Sequence, residues 1–391
     1  MHCDADRLAT LPRYLFLEID RKRAAAQAAG RHVIDFGVGD PDQPTPDFIL
    51  AAMEHAIRRP EWHQYPSGWG LPAFRSQVAA FLAERYSISV DPQREVLTLI
   101  GSKEGLGHLP LAVVNPGQAV LVPDPGYPVY RAATILAGGT PLSLPLTEQR
   151  GWLPDLDAVA PDTARAAALL FLNYPNNPTG ATATRAFFEE AVSFARRHDL
   201  LIAHDAAYGE LYLGDQRPPS ILEIPGAREV AVEFHSLSKT FNMTGWRLGF
   251  AVGNADVLDA LARVKSNLDS GPFSAIQAAG VAAYAGCDRP EIARLRATYT
   301  QRAEILCAGL RAAGFRVNPP TATFYVWAGV PAGHDSLSTA TRLLDEADVV
   351  CIPGSGFGPG GEGYVRFALT ASTERTRLAA ERLAKIKWQA T

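Results

Sequence analysis

A large α/β domain, built on a mostly parallel sheet with helices on both faces and joined to a smaller α+β domain, is the fold the sequence predicts. Three observations carry that expectation. At 391 residues the chain is longer than one hydrophobic core usually serves. From about residue 95 to 253, short apolar runs alternate with helical patterns, as strands and crossover helices do. After a long helical stretch at 292–314, two further strand-like runs follow without that alternation.

In chain order, LFLEIDRKRAAAQAAG (15–30) reads as an amphipathic helix closed by Gly30, and VIDFGVGDPD as a short strand entering a turn. EVLTLI is a strand, KEGLGHLPLAVV a helix, AVLVP a strand and VYRAATILA a helix. AALLFL, LLIAHD, VAVEFHS and LGFAV are further strands, with the helix RAFFEEAVSFARRH after the first of them. IARLRATYTQRAEILCAGLRAAG (292–314) is a long helix leading to the strands FYVWA and YVRFAL. The expected division is 1–45 as an N-terminal arm with part of the small domain, 46–285 as the large domain and 286–391 as the C-terminal small domain. A ligand site belongs beyond the carboxyl ends of the parallel strands.

Composition excludes several classes. With 47% hydrophobic and 20% charged residues, the chain falls among ordinary soluble globular proteins. A net charge of −4 gives no basic footprint for nucleic acid or an anionic membrane, so neither is an expected partner. Cys3, Cys287, Cys307 and Cys351 are scattered, without a CxxC spacing, and read as reduced core or surface residues. His204 and His235 have no companions at metal-ligand spacing, so no metal is expected. The opening MHCDADRLATLPRY lacks a basic end followed by an apolar core, and no apolar stretch approaches a membrane span. A cytoplasmic location is the expectation.

HSLSKTFNMTGWRLGF (235–250) sets one lysine among serines and an arginine, between two buried-strand patterns. A solvated turn explains its polarity. Alternatively, Ser236, Ser238 and Arg247 suit a dianionic phosphate, because a guanidinium is a rigid fork of donors and hydroxyls rotate to complete the shell. Lys239 then lies beside the phosphate in a desolvated, cationic setting that lowers its pKa and frees its amine to attack a carbonyl. A carbonyl and a phosphate on one small molecule describe pyridoxal phosphate.

Other polar groups fall at strand ends. Asp205 and Tyr208 follow LLIAH, where the carboxylate is either a helix cap or the partner of a protonated ring nitrogen. Asn177 precedes Pro178 after LLFL, either as a simple Asn-Pro turn or as an amide donor to a phenolate oxygen. LIGSKEGLGH reads as strand, turn and helix start, which points the amides of Ser102 and Lys103 at an anion. PGSGFGPGGEG (353–363) lacks the spacing of a nucleotide loop and reads as a flexible loop.

Taken together, SLSK-x7-R, NNPTG, D-x-x-Y after a strand, PGYPVY and a late YVRF occur in the order of the class I/II aminotransferases of PLP fold type I, which the chain resembles over nearly its whole length. HSLSKTFNMTGWRLGFAVGN, LFLNYPNNPTG, IGSKEG and VPDPGYPVY are most similar to the LL-diaminopimelate aminotransferase-like branch. The resemblance implies a ping-pong aminotransferase using pyridoxal 5'-phosphate, with an L-amino acid and a 2-oxo acid as substrates. It implies that Lys239 joins the cofactor covalently, that Ser236, Ser238, Arg247 and the Ser102 and Lys103 amides hold its phosphate, and that Asp205 keeps its ring nitrogen protonated. Tyr208 and Asn177 would bond the phenolic oxygen, Tyr127 would stack on the ring, and Arg366 with Gly39 would bind the substrate α-carboxylate. Tyr65 matches a tyrosine that reaches the neighbouring subunit's phosphate, which implies a homodimer with shared sites. A lyase or decarboxylase of the same fold is the alternative.

Relatives in the diaminopimelate branch often carry a glutamate within the YPSxxG segment, where this chain reads YPSGWG. Trp69 therefore either packs a subunit interface or stacks on a flat or delocalised distal group, an aromatic ring or a guanidino group. On the second reading Trp69 binds substrate and diaminopimelate is not the preferred donor.

Overall fold

The computed structural model describes residues 5–11 and 16–388. Cys3 lies outside them, and the other three cysteines are buried free thiols. Twelve strands are present among the described residues: β1 (Ile34–Asp35), β2 (Val96–Leu99), β3 (Ala119–Asp124), β4 (Thr140–Pro145), β5 (Ala167–Asn173), β6 (Leu201–Asp205), β7 (Ala231–Ser236), β8 (Gly249–Gly253), β9 (Tyr325–Gly329), β10 (Val349–Val350), β11 (Ile352–Pro353) and β12 (Tyr364–Ala368).

Seven of them form one sheet in the order β2-β8-β7-β6-β5-β3-β4. Only β8 runs against its neighbours; β3, β4, β5, β6 and β7 pair in parallel. Period-two alternation decides which core each side chain joins. Leu170 and Leu172 pack with Phe74, Phe188 and Ile202 on one face, and Leu169 and Phe171 with Leu106, Leu109 and Leu258 on the other. Both faces are thus covered by helices, as the continuous apolar runs require. The strand β4 escapes a reading by pattern because TPLSLP carries two prolines and a single buried side chain. It sits at the sheet edge, where a missing N–H is tolerated.

A second core gathers Leu306 and Leu310 from the helix Pro290–Ala312 with Val326, Ala328, Val365, Phe367 and Leu383. Its sheet is antiparallel, in the order β11-β12-β9. Strand β1 joins this unit by pairing in parallel with β10, so the N-terminal segment returns to the C-terminal part of the chain. The expected helix near the N-terminus spans Phe16–Ala28, and within its described side chains, 21–28, only Ala26 is buried. No helix among the described residues is long and apolar enough to cross a membrane.

The segment 353–363 is packed rather than loose, which corrects the expectation of a flexible loop. Two short 3-10 turns, Gly354–Phe357 and Pro359–Gly361, bury Gly354, Phe357 and Gly361. Phe357 O accepts a bond from Gly126 N at 2.8 Å, and Gly360 N donates to Asp124 Oδ1 at 2.9 Å. A Cβ on Gly360 would stand 2.7 Å from the Asp124 carbonyl oxygen, so the glycine serves close approach.

Candidate functional site

Register places the polar ends of the strands side by side. Asn173 lies opposite Asp205, Asp205 opposite Phe234, and Ser236 opposite Gly249. Beyond this carboxyl edge, a cavity of about 600 Å³ is lined by residues of the large sheet and of the small domain.

Lys239 is carried by a single helical turn, Leu237–Thr240, capped by the Ser236 hydroxyl, which accepts from Ser238 N at 3.3 Å. Lys239 Nζ donates to Gly39 O at 2.9 Å. Burial lowers its pKa to about 8, Asp40 opposes that, and the Arg247 and Arg366 guanidiniums add to the lowering. Arg247, with φ of 56°, donates to Ser238 Oγ at 3.4 Å and Thr244 O at 2.8 Å. It lies over the start of the helix Ser102–Val113: a Cβ on Gly101, whose φ is 75°, would stand 2.4 Å from Arg247 Nη2. Guanidinium, hydroxyls and the first helix amides thus converge on one anion-sized place.

Asp205 is 5% exposed. Its Oδ2 accepts from Tyr130 Oη at 2.7 Å and its Oδ1 from Ala207 N at 3.2 Å. Burial raises its pKa, against those two bonds and the charges of His204 and His235. No helix follows it, so the helix-cap alternative falls, although the Ala207 bond does shape the turn. Beneath it, Glu233 holds His204 Nδ1 at 2.9 Å and His235 Nε2 at 2.7 Å. Burial alone would raise the Glu233 pKa, but the two imidazoles hold it far below the usual carboxylate range.

Asn177 N donates to Asn173 Oδ1 at 2.8 Å, and Arg366 Nη1 donates to Asn177 Oδ1 at 2.8 Å. That fixes the amide orientation and leaves the Asn177 NH₂ as a donor. Tyr208 Oη shares a bond with Tyr325 Oη at 3.0 Å, and burial raises the Tyr208 pKa well above its ordinary value, so it remains a neutral phenol. Arg366 is 5% exposed, with its guanidinium 4.2 Å from the Tyr325 ring centre and 4.7 Å from that of Phe357. Its Nη2 donates to Gly37 O at 2.8 Å, while its buried Nε has no hydrogen-bond partner among the described residues. No described carboxylate lies within ion-pair distance of Arg366 or Arg247, and a buried guanidinium without an anion is costly. Gly39 fits only as glycine, since a Cβ there would meet Tyr325 Oη at 2.1 Å.

The cavity therefore gathers Gly39, Ser102, Lys103, Tyr127, Asn177, Asp205, Tyr208, Ser236, Ser238, Lys239, Arg247 and Arg366. Tyr65 and Trp69 do not line it. Tyr65 is 90% exposed, and Trp69 is half-buried against the cluster around Leu97 and Leu106, with Arg75 5.9 Å over its ring. Sequence reasoning assigned no role to Tyr130, Asn173, Tyr325 and Phe357. Tyr130 stood within PGYPVY and Asn173 at the end of LLFLN, so both had a strand-end signal. Phe357 was hidden in the glycine-rich segment. The donor set fits pyridoxal 5'-phosphate: an anion cradle, a buried carboxylate lacking a cation, neutral phenol and amide donors, and a buried lysine with a lowered pKa. Elsewhere Glu104, His108 and Asp269 approach one another closely, but Lys265 Nζ already lies 2.8 Å from Glu104 and 3.2 Å from Asp269.

A family model described as aminotransferase class I and II matches residues 31–383. The chain is 54% identical to the LL-diaminopimelate aminotransferase of Syntrophobacter fumaroxidans, over 98% of this chain and 99% of that one. It is 53% identical to the protein of that name from Desulforudis audaxviator, over 97% of each chain. The substrate-bound structure of BacF from Bacillus subtilis superposes with a TM-score of 0.93, at 37% identity and 98% coverage of both chains.

Proposed function

The chain belongs to the class I and II aminotransferases, and on that premise we propose that it moves the amino group of LL-diaminopimelate to a 2-oxo acid with the cavity residues in the roles given below. The enzyme is a transaminase that uses pyridoxal 5'-phosphate and takes an amino acid and a 2-oxo acid in turn. Arg366 is the observation that carries the assignment of this cavity as the amino acid site. It is a buried guanidinium between two aromatic rings, with no described carboxylate beside it and an unmatched Nε, and it calls for a planar anion such as an α-carboxylate.

Ser236, Ser238, Arg247 and the amides of Ser102 and Lys103 would hold the cofactor phosphate. Asp205 would pair with the ring nitrogen, Tyr208 and Asn177 would donate to the phenolic oxygen, and Tyr127 would cover the ring face. When bound, the cofactor supplies an electron sink that makes the Cα proton of the amino acid acidic. Lys239, its pKa lowered to about 8 by burial, is the base that takes and returns that proton. Arg366 and Gly39 orient the donor so that its Cα faces Lys239. The 2-oxo acid acceptor meets the same groups in reverse order.

Relatives more than half identical to this chain bear the name LL-diaminopimelate aminotransferase, which favours that donor. Trp69 does not line the cavity of its own chain and so lends a planar donor no support there. In a donor screen read by cofactor absorbance, LL-diaminopimelate should exceed arginine and aromatic amino acids in kcat/KM by about tenfold or more. A planar or guanidino donor that performs better would overturn the assignment.

We also propose a homodimer in the cytoplasm, in which the exposed Tyr65 reaches the phosphate of the partner subunit. Tyr65→Phe should then weaken cofactor retention while the protein stays folded. Mixed with Lys239→Ala protein, it should form dimers in which one site joins an intact Lys239 to the partner's intact Tyr65 while the other site lacks both, so cofactor retention at the intact site should recover to that of the unaltered protein. A monomer at assay concentration on a sizing column would defeat this geometry.

A further inference from the structure

Seven charged residues line the cavity; the side chains of Asp205, Lys239, Arg247 and Arg366 have tasks above, and Lys103 contributes its backbone amide. The remaining two, Arg23 and Asp35, are of opposite sign and adjacent. We propose that they form the distal subsite for the donor, Asp35 receiving its distal ammonium and Arg23 its distal carboxylate. This rests on the reading that the donor is LL-diaminopimelate, a molecule with an amino acid group at each end.

Direct contacts connect the pair to the anchor of the α-carboxylate. Arg366 Nη2 donates to Gly37 O at 2.8 Å, and Gly37 N donates to Asp35 Oδ1 at 2.7 Å. A Cβ on Gly37 would stand 3.1 Å from Asp35 Oδ1, 3.1 Å from Ile352 Cδ1 and 3.3 Å from Val350 Cγ1. Asp35 thus lies one residue contact outward from Arg366, along a wall whose other members, Val350, Ile352 and Phe357, are apolar and suit a methylene chain. Arg23, on the helix Phe16–Ala28, meets Asp35 Oδ2 at 2.5 Å.

Exposure and valence fit a ligand as well. The side chains of Arg23 and Asp35 are 26% and 28% exposed, open enough to be reached and covered enough that pairing is not lost to screening. A carboxylate offers about four lone-pair sites, and the bonds from Gly37 N and Arg23 take two of those on Asp35. An ammonium on Asp35 and a carboxylate on Arg23 would give a ring of alternating charge. A donor with a single distal charge would leave one member of the ring unmatched.

Three amino acids dissect the pair: LL-diaminopimelate, lysine, which lacks the distal carboxylate, and 2-aminopimelate, which lacks the distal ammonium. Arg23→Gln should lower kcat/KM about tenfold to a hundredfold for LL-diaminopimelate and 2-aminopimelate and leave lysine unchanged. Asp35→Asn keeps the bond from Gly37 N and should lower LL-diaminopimelate and lysine while sparing 2-aminopimelate. Arg23→Lys, which retains charge, should recover part of the loss. Calorimetric titration of cofactor-loaded Lys239→Ala protein, alone and combined with each change, should show the same split in Kd without turnover. Equal losses on all three amino acids, or none, would overturn the subsite. If the unaltered enzyme ignores LL-diaminopimelate while the other two still split by charge, the donor assignment fails and the subsite stands. If it uses LL-diaminopimelate and no split appears, the subsite fails and the donor assignment stands.

Discussion

Lys239→Ala protein is expected to fold, to keep cofactor only non-covalently, and to lose at least about 10⁴-fold in transamination rate, because in the proposed site one amine would serve as both covalent anchor and proton carrier. The side chain is largely buried, so an ammonium is poorly solvated there, and Arg247 and Arg366 add like charge. Its pKa of about 8 stands well below the ~10.4 of an ordinary lysine. The neutral amine therefore predominates above pH 8, some two units earlier than on an exposed lysine. Recombination of cofactor with the apo-protein needs that neutral form, so its rate should fall as pH drops through about 8 and level off above it. Borohydride reduction followed by peptide mass analysis should fix cofactor to Lys239 in the unaltered protein and to no lysine in the variant. Cofactor fixed to another lysine, or a recombination rate that keeps rising to pH 10, would contradict the assignment.

The reason so much of this site was legible beforehand lies in strand ends. A buried parallel strand is an apolar run, and the first polar residue after it marks the carboxyl edge where ligands bind. Asp205 and the Ser236 to Arg247 stretch were recognisable in that way and Asn177 by its Asn-Pro turn, while register in the sheet sets Asn173, Asp205 and Ser236 along one edge. What escaped was positioned by tertiary contact. The strand β4 is written with edge-tolerated prolines. Phe357 is delivered by glycines whose role is close backbone approach, and composition alone gives that role the same look as flexibility. Tyr325 opens the apolar strand β9 directly after Phe324, and only its bond to Tyr208 and its ring against Arg366 distinguish it from core. Arg23 and Asp35 are separated by twelve positions and belong to two elements that meet only through the fold.

Asp205→Asn is expected to reduce turnover at least about a thousandfold while the thermal midpoint of the apo-protein moves by only a few degrees. The stability half of that expectation follows from hydrogen bonding. Asn Oδ1 still accepts from Ala207 N, and Asn Nδ2 still meets Tyr130 Oη, whose hydroxyl can turn from donor to acceptor. A neutral amide is also easier to bury than the carboxylate it replaces, whose pKa burial already raises. The rate half follows from charge. Asp205 has its two oxygens held by Tyr130 and Ala207, and behind it the Glu233 carboxylate holds two imidazoles, so the aspartate is aimed and its ionised form is favoured by His204 and His235. An ionised carboxylate there would keep the cofactor's ring nitrogen protonated, the form in which the cofactor would supply its electron sink. Asparagine offers only an N–H toward the same atom, which favours the unprotonated nitrogen. Steady-state rates, together with the pH dependence of the bound cofactor's absorbance, separate the two roles. An unchanged rate with an unchanged spectrum would reduce Asp205 to the residue that shapes the turn before Tyr208.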